Sequence, residues 1–133
     1  MIVPDASIIA AAVTDNGAAG PFARDLLRRS AGVAMPDFAD VETTAVLRKR
    51  WTARALDDLD FLLALDALSA LPFPRYPARA FLGRAYELRG NLTPYDAVYV
   101  ALAEALDAEL VTADRRLAAA PGIRCRVRVV PPE

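Results

Sequence analysis

The sequence predicts an α/β fold built on a small, mostly parallel sheet. Three observations carry this. Short apolar strands alternate with helical segments along the chain, the pattern of βαβ units. Two of those strands, residues 1–4 and 109–112, run into an aspartate that precedes a helix, Asp5 and Asp114. Between Ala97 and Leu106 the only charge is Glu104, so this stretch reads as a helix buried on nearly every face.

Each element follows in order. Residues 1–4 form a short apolar strand, and residues 6–13 an apolar helix. That helical run is too short to span a membrane, and no basic stretch precedes it, so no signal peptide is expected. Asp15-Asn16-Gly17 is a turn, and residues 18–30 form a second helix. Residues 32–35 form a strand closed by Pro36. Asp37 begins a third helix that reaches about Trp51. Phe38, Glu42, Ala45, Val46 and Lys49 share one side of it, which sets Glu42 in an apolar stripe. A carboxylate there is costly unless it is paired, hydrogen-bonded or bound to metal. Asp40 falls off that stripe and is expected to face solvent. Arg48-Lys49-Arg50 suits the negative end of the helix dipole.

A fourth helix is expected over residues 53–71. Leu56, Leu59, Leu63 and Ala67 form its core stripe, and Asp57, Asp58 and Asp60 its wet face. Residues 72–77 are marked by proline and read as an edge strand or linker. Residues 78–89 form a fifth helix, ended by Gly90-Asn91. Thr93 caps the buried helix, with Pro94 at its first position and Asp96 three residues past the cap. After the strand at 109–112, residues 115–120 form a short helix and Pro121-Gly122 a turn. The last strand, 125–130, sets Cys125, Val127 and Val129 against Arg124, Arg126 and Arg128, a pattern that protects a sheet edge.

Composition narrows the chemistry. The chain has 133 residues and no repeat, low-complexity run or linker, so residues 1–133 are expected to form a single domain. An apolar fraction of 55% suggests a surface shared with a partner. A net charge of −1 provides no global basic field for nucleic acid. Lys49 is the only lysine; the remaining basic residues are arginines, which can grip phosphate through a bidentate fork. The lone Cys125 forms no internal disulfide and fits a reducing cytoplasm. Histidine is absent, which removes histidine acid–base catalysis, Ser-His triads and most zinc sites.

The candidate site is therefore a set of carboxylates: Asp5, Glu42, Asp96 and Asp114. Oxygen donors alone select Mg²⁺ or Mn²⁺. Such an ion activates water or steadies a leaving oxygen. Ser7 and Thr112, near the strand ends, are placed to hydrogen-bond a carboxylate or a metal-bound water, although ordinary capping explains Ser7 equally well. Arg115 and Arg116 oppose the dipole of the helix they open. That calls for an anionic partner, either the acids or a substrate phosphate, with plain solvation left open for one of them. Other acidic α/β enzymes fit poorly. A haloacid-dehalogenase-type phosphatase wants Asp-x-Asp where Asp5-Ala6-Ser7 stands. A receiver domain wants a lysine on a late strand, and there is no glycine-rich phosphate loop.

The segments MIVPDASIIA, PDFADVETTAVLRKR and LTPYDAVYVALAEALDAELVTADRRLA resemble, in order and spacing, a PIN-domain ribonuclease of the VapC toxin type. The resemblance implies a three-layer α/β/α PIN-like fold. It implies a Mg²⁺- or Mn²⁺-dependent endoribonuclease whose acids are Asp5, Glu42, Asp96 and Asp114. Thr112 matches the family's Thr-x-Asp, and Ser7 its Asp-x-Ser/Thr. It further implies a homodimer, neutralised by a VapB-type antitoxin that lays a peptide across the site. RNA as the substrate rests on the resemblance alone. Two other classes stay open: a non-catalytic RNA-binding or assembly module, and a metal-dependent phosphoesterase on small substrates.

Overall fold

The computed structural model describes residues 1–14 and 17–130; the turn expected at Asp15-Asn16 lies outside them. Strand β1 (Ile2–Pro4) is buried along its length and leads through Asp5 into α1 (Ala6–Val13). Helix α2 (Ala19–Arg29) returns the chain to β2 (Met35–Pro36). Helices α3 (Ala39–Thr52) and α4 (Asp58–Ser69) then lead to β3 (Arg75–Tyr76). A 3-10 turn at Ala78–Phe81 precedes α5 (Leu82–Glu87). Helix α6 (Pro94–Ala105), β4 (Glu109–Thr112), α7 (Arg115–Ala119) and β5 (Val127–Val129) complete the described chain.

Among the described residues all strand pairings are parallel. β4 lies between β1 and β5, and β2 pairs with β3. A parallel bridge between Ile2 and Val33 joins the two groups. The strands therefore run in the order β3, β2, β1, β4, β5. Right-handed crossovers fix what covers each face. The chain steps one way from β1 to β3, which puts α1 to α4 on one face. It then jumps back past β1 to β4 and β5, which puts α5, α6 and α7 on the other. The contacts agree: α1 packs on β1 and β4 beside α2, α3 and α4, whereas α6 packs on β1, β2 and β4 beside α5. The reversal falls between β1 and β4. The crevice beyond the carboxyl ends of those two strands is where open α/β sheets bind ligands.

Helix α6 is the packing centre. Every residue from Ala97 to Ala103 is buried, as its lack of charge requires. Glu104, the exception, is paired with Arg84 at 2.8 Å, which pins α5 to α6. Arg84 also donates to the Gly122 carbonyl at 2.7 Å. No helix of the described residues is long and apolar enough to cross a membrane.

Two helix faces differ from the periodicity reading. On α3 the buried stripe is Ala39, Thr43 and Leu47, one position round from the expected one, while Ala45 and Lys49 are exposed. Glu42 thus sits half-buried at the rim of the stripe rather than inside it. Asp40 is not simply solvated. Arg75 grips it with bonds of 2.9 and 3.1 Å and also holds the carbonyls of Leu68, Leu71 and Phe73. Helix α4 starts later than expected. Arg54 takes a left-handed φ of 61°, which interrupts any helix there, and the Asp57 carboxylate caps the true start by accepting from the Asp60 N–H at 2.8 Å. Its buried residues are Ala64 and Leu68, with Leu56 just before it. Leu59 and Leu63, expected in the core, are 63% and 54% exposed, and Leu62 is 58% exposed. A helix with leucine on every side leaves the choice of buried face to its neighbours.

Candidate active site

Each acid is delivered by a different element. Asp5 follows β1, where its N–H continues the strand ladder to the Val111 carbonyl at 2.9 Å. Asp114 stands two residues past β4. Asp96 occupies the first turn of α6, fixed by Thr93, whose hydroxyl caps the helix by accepting the Asp96 N–H at 3.2 Å. Glu42 lies in the first turn of α3.

Asp5 is the most embedded. Its Oδ1 accepts from the Ser7 hydroxyl at 2.5 Å and from the N–H groups of Ser7 and Ile8, which makes it the cap of α1. Its Oδ2 accepts from the Thr112 hydroxyl at 2.5 Å, a contact between residues 107 apart in sequence. The Thr112 oxygen in turn accepts the Asp114 N–H at 3.0 Å. A single hydrogen-bonded chain therefore ties the ends of β1 and β4. Ser7 and Thr112 both support the carboxylate; at Ser7 the hydroxyl gives the support, and the N–H is one of those that Asp5 caps.

The electrostatics bind the four together. Burial pushes the Asp5 carboxyl up, against the bonds from Ser7, Thr112 and Ile8 that hold it down. Burial also raises Glu42, with the charges of Asp96 and Asp5 adding to it and Tyr99 opposing. Asp96 is raised by burial and then by Asp5 and Asp114, with Thr93 and Arg116 opposing. Asp114, at the exposed edge, is lowered, first by the Arg116 N–H that it accepts at 2.9 Å and then by the Arg116 side chain. The charges of Asp5 and Asp96 reach Glu42, and those of Asp5 and Asp114 reach Asp96, so the acids are linked through Asp5 and Asp96. Among the described residues, no three such side chains stand close enough together to grasp a metal ion as they are.

The arginines divide. Arg116 turns back on Asp114 at 3.4 Å, so its anionic partner is the acid group. Arg115 is exposed and makes no ion pair among the described residues. A cavity of about 800 Å³ lies elsewhere, lined by Met1, Val13, Leu27, Leu71 and Phe73 among others. It opens beside the residues that start the strands and contains none of the four acids.

Pattern reading passed over Tyr99, on which the charges of Glu42, Asp5 and Asp96 act. It follows Asp96 by three positions, a spacing that places the two on one side of a helix. That spacing was the available signal. In the sequence Tyr99 counts only as one more apolar residue of the buried helix.

Comparison with known proteins gives a consistent result. The model of the PIN domain family matches residues 2–123. Ribonuclease VapC1 of Mycobacterium tuberculosis is 40% identical over 129 residues, 96% of this chain and 96% of that one. Ribonuclease VapC9 of the same organism is 40% identical over 131 residues, 98% of this chain and 99% of that one. A crystal structure of VapBC2 from Rickettsia felis, bound to a DNA fragment from their promoter, superposes with a TM-score of 0.69. The match covers 98% of this chain and 99% of that chain at 16% identity, a likeness of fold.

Proposed function

The chain belongs to the PIN domain family, and from that premise we propose that Asp5, Glu42, Asp96 and Asp114 form the catalytic centre of an RNA-cleaving enzyme. The enzyme is an endoribonuclease of VapC type, the toxin of a toxin–antitoxin pair. One observation carries the assignment of the centre. Asp5 and Asp114 stand at the carboxyl ends of the neighbouring strands β1 and β4, and their charges reach Asp96 as those of Asp5 and Asp96 reach Glu42, in a chain without histidine.

The donor set fits a hard divalent cation in kind, all oxygen with neither sulfur nor imidazole. The raised carboxyls of Asp5, Glu42 and Asp96 are what a cation would relieve. A bound Mg²⁺ or Mn²⁺ would supply water activation and charge neutralisation at the scissile phosphate. Asp5, Asp96 and Asp114 would hold it, with Glu42 as a further ligand or as the group that orients the attacking water. Ser7 and Thr112 keep the Asp5 oxygens in place. Arg115 is the side chain free to meet a phosphate of the RNA, while Arg116 steadies Asp114.

Cleavage is expected to vanish in excess chelator, to return with Mg²⁺ or Mn²⁺, and to leave a 5′-phosphate, read by end-mapping of the products. Full activity in chelator, or a 2′,3′-cyclic phosphate end, would overturn the reading. The same assay separates the rivals. A phosphoesterase would turn over small phosphoesters and leave RNA whole, and a binding module would do neither.

Partners follow from the same reading. RNA is the substrate, and a VapB-type antitoxin is the natural inhibitor. The family match across nearly the whole chain supports one domain over residues 1–133. The lone cysteine supports a cytoplasmic setting. Exposed Leu59, Leu62 and Leu63 on α4, with Leu82 and Tyr86 on α5, support a homodimer. Light scattering at tens of micromolar, roughly the range where modest interfaces hold, should give twice the chain mass. A monodisperse monomer would defeat that assignment.

A further inference from the structure

We propose that Tyr99 is a positioning residue, whose buried hydroxyl holds the Glu42 carboxylate in the orientation the acid centre requires. The inference rests on the reading of the acids given above.

Tyr99 is 1% exposed, and its hydroxyl has no hydrogen-bond partner of ordinary length and angle among the described residues. A buried tyrosine usually places its hydroxyl against a partner. Leaving a buried polar group unpaired costs about 1–3 kcal/mol. The only other such atom among the described residues is Thr43 Oγ1, on the neighbouring turn of α3.

What the hydroxyl faces is specific. The charges acting on it are Glu42 first, then Asp5 and Asp96. A tyrosine hydroxyl is neutral at ordinary pH and can donate to a carboxylate. Of those carboxylates, Asp5 is already held by Ser7, Ile8 and Thr112, and Asp96 lies beside Thr93. Tyr99 is the one side chain that draws the Glu42 carboxyl down, against burial and the charges of Asp96 and Asp5. A donor short of an acceptor thus faces an acceptor.

The packing fixes the donor's direction. The Phe38 ring meets Tyr99 edge-on at 5.5 Å and 88°, and meets Tyr95 at 5.5 Å and 78°. Phe38 precedes Glu42 by four residues, one turn along the same side, and Tyr95 adjoins Asp96. The row Tyr95, Phe38, Tyr99 therefore clamps the start of α3 to the start of α6, the two turns that carry Glu42 and Asp96. With the ring locked, a modest shift of the glutamate side chain would close the bond.

Tyr99→Phe removes one oxygen and keeps the ring. We expect kcat to fall by about tenfold to a hundredfold, the usual cost of losing a group that orients a ligand, with KM for RNA within twofold of wild type. In chelator the variant should melt close to wild type, because the ring and its packing against Phe38 are kept. The Mg²⁺ concentration at half-maximal thermal stabilisation should rise by about tenfold. In a double-mutant cycle, adding Tyr99→Phe to Glu42→Gln should cost nothing further, since the tyrosine acts through the glutamate. Unchanged kcat and Mg²⁺ midpoint in Tyr99→Phe, or fully additive losses in the double variant, would overturn the inference. Wild-type protein that Mg²⁺ neither activates nor stabilises would instead remove the acid-centre reading beneath it.

Discussion

Asp96→Asn should reduce RNA cleavage by more than the roughly 10–100-fold that loss of an outer supporting group costs, without weakening the metal-free fold. The two halves of this expectation have separate causes. Asparagine cannot supply the negative charge that a cation or its activated water needs. Yet the carboxylate is itself a burden on the fold. Burial raises its pKa, and the charges of Asp5 and Asp114 raise it further, against Thr93 and Arg116. A folded-state pKa above the unfolded one means that the native state binds the proton more tightly. The associated stability is complete below the unfolded pKa and is lost as pH rises through the folded one. At neutral pH the ionised Asp96 therefore subtracts stability, and asparagine removes the subtraction. The helix start survives, because the cap is Thr93 accepting the backbone N–H of residue 96. Thermal melts in chelator at pH 7 should place the variant at or above wild type. The gap should close as pH falls into the ordinary carboxylate range. Mg²⁺ should raise the melting temperature of wild type by mass action and that of the variant much less. A variant clearly weaker in chelator would make Asp96 a structural residue.

Asp5→Ala should be equally inactive but should lose stability, which separates the two acids. Asp5 also carries a burial cost, but its oxygens are woven into the fold. They cap α1 through the N–H groups of Ser7 and Ile8, and they accept the hydroxyl of Thr112, a residue with no exposure. Loss of a cap costs about 0.5–2 kcal/mol. A buried donor left without its acceptor costs about 1–3 kcal/mol. Release of the buried charge offsets part of this. A net loss of about 2 kcal/mol is expected in chelator, with Asp5→Asn between alanine and wild type because the amide oxygen still accepts. Denaturant unfolding at pH 7 measures the series. Alanine as stable as wild type would show that charge burial at Asp5 outweighs all of its hydrogen bonds.

Glu42 shows where pattern reading stops. Its neighbours placed it on the core stripe of α3, and that stripe is in fact Ala39, Thr43 and Leu47. A half-buried rim position serves a ligand better than a core one, since the carboxylate can reach solvent and substrate. Tyr99 lay in the sequence three residues from Asp96, but nothing local distinguished its hydroxyl from the apolar residues around it.

What the sequence determined by itself is local. Strand, aspartate, helix at residues 2–13 and again at 109–119, and the Thr93-Pro94 start of α6, follow from chain stereochemistry and capping within a few residues. Those rules place Asp5, Asp96 and Asp114 at the ends of their own elements. Only the tertiary structure decided what meets what. Strand order put the ends of β1 and β4 side by side and brought Thr112 onto Asp5. The packing of α3 against α1 and α4 chose which face to bury, and the Phe38 contact tied the start of α3 to Tyr99 of α6. Helical period marks a stripe only when one side is clearly more apolar than the rest. On α4, with leucines all round, the burial that neighbouring helices can share decides the face, and that quantity exists only once the helices are assembled.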